Sequence, residues 1–99
     1  MSKRKFTKRV AIKGKVVEVV TISGLGEIVG KSRNTLLRYI RNGVLPEAPF
    51  TLNGYRYYSV TLAENLKPII ENLPLHTKPP AEDLAKIQRL FNEEITRYA

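Results

Sequence analysis

Two short amphipathic patterns follow one another with almost no chain between them, and this junction constrains the fold more than any other feature. Apolar residues recur at helical spacing over residues 22–29, and Gly30 can end that helix in a left-handed conformation. Ser32 is a good capping residue, and it opens a second helix that extends to about Asn42. Because Lys31 alone separates Gly30 from Ser32, the helices must cross at a steep angle, which predicts a helix-turn-helix.

The segment after the second helix carries the strongest hairpin signal in the sequence. Pro46 and Pro49 forbid further helix and indicate an extended connection. Asn53 and Gly54 favour a type I′ turn, and β-forming residues flank them over residues 50–58. The sequence therefore predicts an α+β chain, mainly helical, in which a β-ribbon follows the helix-turn-helix.

The flanking segments have their own patterns. Residues 10–20 are rich in β-branched side chains around Gly14, which predicts strand, turn and strand, or one bulged strand. Thr61 and Glu64 have capping-box spacing for a third helix, which Pro68 should kink or end early. The predicted organisation is a basic flexible arm at 1–9, a β-rich extension at 10–20, the helix-turn-helix domain with its ribbon at 21–73, a Pro-rich linker at 74–80 and an amphipathic C-terminal helix at 81–99.

The positive charge is concentrated in one part of the chain. The formal net charge is +8, and residues 1–60 hold twelve of the 17 Lys and Arg but only three of the nine acidic residues. A basic N-terminal part beside a nearly neutral C-terminal part is typical of a polyanion-binding module with an accessory helix.

Several classes of function are excluded or disfavoured by what the sequence lacks. Without Cys and with His76 as the only His, it offers no disulfide, thiolate metal site or zinc cluster, so we expect no cofactor and no metal. The carboxylates Glu82, Asp83, Glu93 and Glu94 are predicted on an exposed helix face, and no catalytic motif is present, so we expect no enzyme. No apolar run approaches the roughly 18 residues of a membrane span, and we expect a cytoplasmic location.

The second predicted helix has one apolar and one cationic face. Leu36 and Ile40 lie on the apolar face, while the opposite face mixes no acid with its cations, unlike an ordinary solvated helix. Arg can bind guanine bidentately and Asn adenine, and later basic residues can reach phosphates. Leu37 could meet a thymine methyl group or belong to the core. The candidate DNA-binding residues of this segment are Lys31, Ser32, Arg33, Asn34, Thr35, Leu37, Arg38 and Arg41.

The ribbon and the basic arm supply further candidates. Tyr55 and Arg56 lie near the predicted tip of the ribbon, where Arg56 can bind a phosphate, whereas Tyr57 and Tyr58 are predicted to pack in the sheet. In the arm, the cations either enter a minor groove or form a solubilising tail, and the candidates there are Lys3, Arg4 and Lys5.

Residues 21–70 resemble the DNA-binding domain of MerR-type regulators and their relatives, the phage excisionases and small DNA-packaging proteins. The shared features are the turn at residues 30–36, the Gly-x-Leu-Pro exit at residues 43–46 and the Gly-Tyr-Arg sequence at residues 54–56. The resemblance implies a winged helix in which residues 35–41 form the recognition helix and Arg56 lies on the wing.

The chain departs from the MerR-type activators in its missing Cys, its short final helix and its β-rich N-terminal extension. We therefore expect no effector domain and no ligand or metal sensing. The small size and the basic arm are more typical of a phage or mobile-element protein.

The final helix carries an apolar stripe at helical spacing. This stripe either packs on the chain's own domain or pairs two copies into a homodimer that presents two recognition helices. Its residues are Leu84, Ile87, Phe91, Ile95 and Tyr98.

Three functions remain open from the sequence. The first is a small transcription regulator that binds double-stranded DNA. The second is an architectural protein, such as a recombination accessory factor or a DNA-packaging recognition protein. The third is a protein-interaction module that docks on a nucleoprotein machine through the β-rich N-terminal segment.

Overall fold

The computed structural model describes residues 7–74 and 78–98 of the chain. It confirms the predicted α+β class, with helices in the majority. The predicted arm, apart from residues 7–9, and the middle of the Pro-rich linker lie outside the described residues. The elements in chain order are β1 (Lys8–Ile12), β2 (Lys15–Val20), α1 (Ile22–Val29), α2 (Arg33–Arg41), β3 (Phe50–Leu52), β4 (Tyr55–Ser59), α3 (Val60–Ile70) and α4 (Ala81–Arg97).

The four strands form one antiparallel sheet in the order β1-β2-β4-β3. The N-terminal extension takes the strand, turn and strand form, and its second strand joins the predicted wing. Val19 lies opposite Ser59 and Val20 opposite Tyr58. The extension and the wing are therefore parts of a single sheet, which the sequence did not indicate.

This sheet is buried on both faces near its centre. Successive residues of a strand point to opposite faces, so Val20 and Tyr58 lie on one face, and Val19 and Tyr57 on the other. The first pair joins the main core under the helices, and the second pair joins a smaller cluster with Phe50. Both tyrosines thus pack in the sheet, as predicted.

The helix-turn-helix is closed by local backbone contacts. Gly30 ends α1 with φ 75°, in the left-handed region, and its N–H donates to the Gly26 carbonyl at 2.8 Å. Ser32 caps α2 by accepting the Thr35 N–H at 3.2 Å. A Cβ atom on Gly26 would lie 2.5 Å from the Lys31 carbonyl oxygen, so only glycine allows the turn to approach α1 this closely.

Helix α3 begins two residues earlier than the predicted capping box. Its cap is Ser59, whose hydroxyl accepts the Leu62 N–H at 3.0 Å, so Thr61 already lies inside the first turn. The reason is that β4 passes directly into the helix without a loop. Pro68 lies within α3, which ends two residues later at Ile70.

Helix α4 packs on its own domain, which is the first of the two alternatives considered for its stripe. Ile87 and Phe91 are each 1% exposed, and the Phe91 ring meets the Tyr58 ring edge to face at 6.2 Å. Leu84 packs against the same core. Tyr98 contacts Phe50 with ring centroids 5.4 Å apart.

Two predictions for α4 are wrong. Ile95 is 54% exposed, while Glu94, predicted on the exposed face, is 2% exposed. Positions 84, 87, 91, 94 and 98 follow the alternating three- and four-residue spacing of one helix face, which places 94 inward and 95 outward. The Glu94 carboxylate accepts hydrogen bonds from the Ser59 hydroxyl and, at 3.2 Å, from Arg97, so the buried charge has partners.

No helix within residues 7–74 and 78–98 is long and apolar enough to cross a membrane. The same residues contain no cluster of three or more potential metal-ligating side chains.

Candidate nucleic-acid interface

Helix α2 separates its apolar and cationic residues by face. Leu36 and Tyr39 are buried in the main core. The side chains predicted to touch DNA point outward, and Arg33, Asn34, Arg38 and Arg41 are all exposed. Since α2 contains no acidic residue, its outer face is uniformly cationic.

The remaining candidates around the start of α2 are less accessible. Lys31 and Thr35 are half-buried, and Ser32 is exposed. The hydroxyls of Ser32 and Thr35 lie 2.9 Å apart, so both take part in capping α2. Their first role is therefore structural. By capping α2 they fix the direction of the helix that carries the exposed polar side chains.

Tyr39 anchors the inner side of α2. Its ring is 4% exposed, and its hydroxyl oxygen is buried with no hydrogen-bond partner among the described residues. Burial raises the pKa of the Tyr39 phenol, while the neighbouring Arg38 cation lowers it. The buried ring positions Arg38 at the surface.

The wing has the geometry that its sequence predicts. Asn53 and Gly54 both have positive φ, 51° and 83°, as a type I′ turn requires. Tyr55 follows the turn and is 66% exposed. Arg56 comes next, also exposed, and β3 pairs with β4 along this segment.

A groove runs between α2 and the wing. Leu37 is half-buried and lies in its wall, so this residue belongs to the groove as well as to the packing of α2. Arg33 borders the groove from the helix and Arg56 from the wing, which brings together candidates that are far apart in sequence. The lining residues are Thr21, Ile22, Arg33, Leu37, Ile40, Glu47, Ala48, Gly54, Tyr55, Arg56 and Tyr58.

Glu47 is a charged residue of this groove that the sequence did not single out. Its Oε2 lies 2.6 Å from Arg56 Nη1, and the two side chains are 64% and 57% exposed. Nothing in the local pattern around Glu47, in the extended segment before β3, indicated that it would face the wing. Its position depends on the tertiary placement of that segment, which brings Glu47 next to a residue of β4.

The charges around the groove also act on Tyr58. Burial raises the pKa of its phenol to about 12, Glu47 adds to the rise, and Arg56 opposes it. Tyr58 therefore stays protonated and neutral at neutral pH, and it is one of the residues that line the groove.

Other predicted site residues lie elsewhere. Lys3, Arg4 and Lys5 lie outside the described residues. The C-terminal stripe residues Leu84, Ile87, Phe91 and Tyr98 pack within the two apolar clusters and are not part of the groove.

Residues 20–73, just over half of the chain, match the family model described as MerR HTH family regulatory protein. The chain belongs to the MerR helix-turn-helix family. The matched residues, which include the helix-turn-helix and the wing, form a DNA-binding domain of the regulatory type. No curated protein and no solved structure matches the chain.

The matched residues of this MerR-family chain begin at Val20 and end at Leu73. They include α1, α2, the wing and α3. The N-terminal hairpin of β1 and β2, except Val20, and the whole of α4 lie outside the match. These two elements are what this chain adds to the family domain.

Proposed function

We propose that this MerR-family protein is a transcription regulator that reads a DNA major groove with α2 and holds the DNA backbone with the wing. One observation carries the proposal: Arg33, on the exposed cationic face of α2, and the wing residue Arg56 border the same groove. A duplex lying on this face would meet both at once.

The proposed roles follow from position along α2. Arg33 and Asn34 lie in its first turn, where a recognition helix reaches base edges, and their side chains suit guanine and adenine. Arg38 and Arg41 lie in its last turn and are assigned to phosphates. Leu37, between the two pairs and partly exposed in the groove, can contact a thymine methyl group.

The size of α2 agrees with this assignment. An α-helix with its side chains is about 10–12 Å in diameter, which fits the roughly 12 Å width of the B-DNA major groove. Lys31 and Ser32 lie at its N-terminus, where backbone N–H groups favour an anion. Tyr55 and Arg56 of the wing are assigned to the backbone beside the groove.

The test compares two arginines of the interface by binding-site selection and by titration at several salt concentrations. Arg33→Ala should cost about 1–3 kcal/mol at the preferred site and relax the preference at one base position. Arg56→Ala should weaken binding to all sequences alike and reduce the salt slope by about 0.9.

Arg89→Ala is the matched control, because Arg89 is an exposed cation on the outer side of α4. It should leave both sequence preference and salt slope unchanged. Equal effects of Arg33→Ala and Arg56→Ala on every sequence would contradict base readout by α2.

Homodimerisation through α4 remains a separate question. Of the five stripe residues, Ile95 alone is exposed, so pairing would have little apolar surface to use unless α4 left its own domain. We expect sedimentation to give a monomer mass for the wild type and for Ile95→Ser. A wild-type dimer that Ile95→Ser dissociates would establish pairing through α4.

A further inference from the structure

The chain contains two hairpin turns of the same backbone geometry but different sequence. Lys13 and Gly14, between β1 and β2, have φ 52° and 82°, and Asn53 and Gly54 of the wing have φ 51° and 83°. Asparagine adopts the left-handed conformation readily, whereas lysine does so at a cost in stability. A lysine at such a strained position points to a role for its side chain beyond forming the turn.

The hairpin of β1 and β2 carries a dense set of cations. Lys8, Arg9, Lys13 and Lys15 are all exposed. Glu18, the one acidic residue of the hairpin, accepts a hydrogen bond from the Thr7 hydroxyl at 2.9 Å. Neither Lys13 nor Lys15 forms an ion pair with any residue that the structure describes, so the tip of this hairpin presents uncompensated positive charge.

The strand register places this tip at the opposite end of the sheet from the wing. With Val20 opposite Tyr58, β4 extends past the end of β2 toward the wing turn, and β2 extends past Ser59 toward Lys13. At about 3.3 Å per residue, the two turns are roughly 35 Å apart. The longest dimension of the molecule is 40 Å, so this separation is close to the largest that the molecule allows.

We propose that the tip of the N-terminal hairpin is a second nucleic-acid contact, which binds the phosphate backbone of a second stretch of duplex. The inference rests on the proposed function, because the first stretch is the one held by α2 and the wing. Since the two contacts face opposite ends, one copy of the protein joins two DNA segments. This activity lies outside the matched family domain, which begins at Val20.

The chemistry of the tip favours a duplex over an acidic protein. A two-stranded ribbon has dimensions that a major groove admits, and lysine binds phosphate as a flexible point charge. A protein partner would normally need a central aromatic or apolar anchor. The exposed apolar residues near this tip are Val16, which is 76% exposed, and its cross-strand partner Ala11, on the face opposite Lys15. Both are small and neither is aromatic, so they form a poor anchor for a protein partner.

The experiment immobilises one duplex on beads, adds the protein and measures capture of a second, labelled duplex at several salt concentrations. The test variant is Lys13→Asn with Lys15→Thr, which keeps a favourable turn residue and a β-forming residue while removing two charges. The matched control is Lys67→Gln with Lys78→Gln, which removes two exposed charges elsewhere.

The wild type and the control should both capture the second duplex. The test variant should lose about tenfold in capture, with a salt slope lower by about 1.8 for two lost phosphate contacts. Its folding, followed by circular dichroism, and its binding to a single duplex should be retained.

Four results would overturn the inference. If the wild type binds one duplex without capturing a second, the inference fails and the proposed function stands; if it binds no duplex, both fail. An equal loss of duplex capture in the test and control variants would mean that the effect depends only on the net charge of the protein. A further result would assign the tip to an acidic protein. In that case polyglutamate would bind the wild type and bind the test variant more weakly, while both proteins captured the second duplex equally well.

Discussion

The Arg56 guanidinium lies 2.6 Å from the Glu47 carboxylate, so the wing residue assigned to a phosphate is already paired in the free protein. Both side chains are more than half exposed, and such a pair contributes less than about 1 kcal/mol. A DNA phosphate can therefore replace the carboxylate. Glu47 is then left beside the DNA, where it opposes binding.

The first prediction concerns Glu47→Gln. Removing the carboxylate frees Arg56 and removes a negative charge next to the backbone, so affinity for nonspecific duplex should rise about 1.4- to fivefold, in line with a pair worth roughly 0.2–1 kcal/mol. Fluorescence anisotropy at low salt measures this, and Glu93→Gln on the outer face of α4 is the control. A loss of affinity would mean that Glu47 positions Arg56 for binding.

The second prediction concerns the buried contact between Ser59 and Glu94. Glu94→Ala removes a charged acceptor and should lower the free energy of unfolding by about 2–3 kcal/mol. Ser59→Ala should cost more, because it also removes the α3 cap, worth about 1 kcal/mol, and leaves a buried carboxylate without its hydroxyl partner.

Urea unfolding of the two single variants and the double variant gives the coupling between these residues. We expect it to lie between about 1 and 3 kcal/mol. Glu93→Ala, at the adjacent exposed position, should change stability by less than about 0.5 kcal/mol. Independent effects of Ser59 and Glu94 would contradict the contact.

The third prediction concerns alkaline pH. Because the Tyr58 pKa is raised to about 12 in the folded state, Tyr58 has the same protonation in both states below pH 10. Between pH 10 and about 12 the unfolded chain releases this proton while the folded chain keeps it, so the free energy of unfolding falls as pH rises.

Tyr58→Phe should remove this part of the decrease in the free energy of unfolding at alkaline pH. Urea unfolding midpoints measured from pH 8 to about pH 12 would reveal the difference. The matched control is Tyr55→Phe, at a ring that is 66% exposed on the same strand, and this variant should lose stability as the wild type does. An unchanged alkaline slope in Tyr58→Phe would show that Tyr58 is not the responsible group.

The fourth prediction concerns Gly26→Ala. The added Cβ would meet the Lys31 carbonyl oxygen at 2.5 Å, and because this neighbour is backbone, the turn must move. We expect a loss of about 1–3 kcal/mol in stability together with weaker duplex binding, since α2 shifts relative to the wing. Ser23→Ala, at an exposed position of α1, should change neither stability nor binding.

Part of the interface followed from the sequence because its signals are local. The junction of Gly30 and Ser32 predicts two crossing helices from the conformational preferences of single residues. Within α2, the spacing of Leu36 and Ile40 predicts the apolar face and so the opposite, cationic face. The structure buries Leu36 fully and Ile40 only in part, and Tyr39 completes the buried side. The turn at residues 53–54 predicts the wing in the same way.

The sequence by itself determined the helix-turn-helix, the wing turn and the cationic face of α2, because each depends on backbone preferences and side-chain periodicity over a few residues. Tertiary structure alone decided that Val20 pairs with Tyr58, that Glu47 reaches Arg56 and that Glu94, not Ile95, faces inward. The reason is physical: each of these depends on a partner distant in sequence. A buried carboxylate is stable only where a group such as the Ser59 hydroxyl, on another element, donates a hydrogen bond to it.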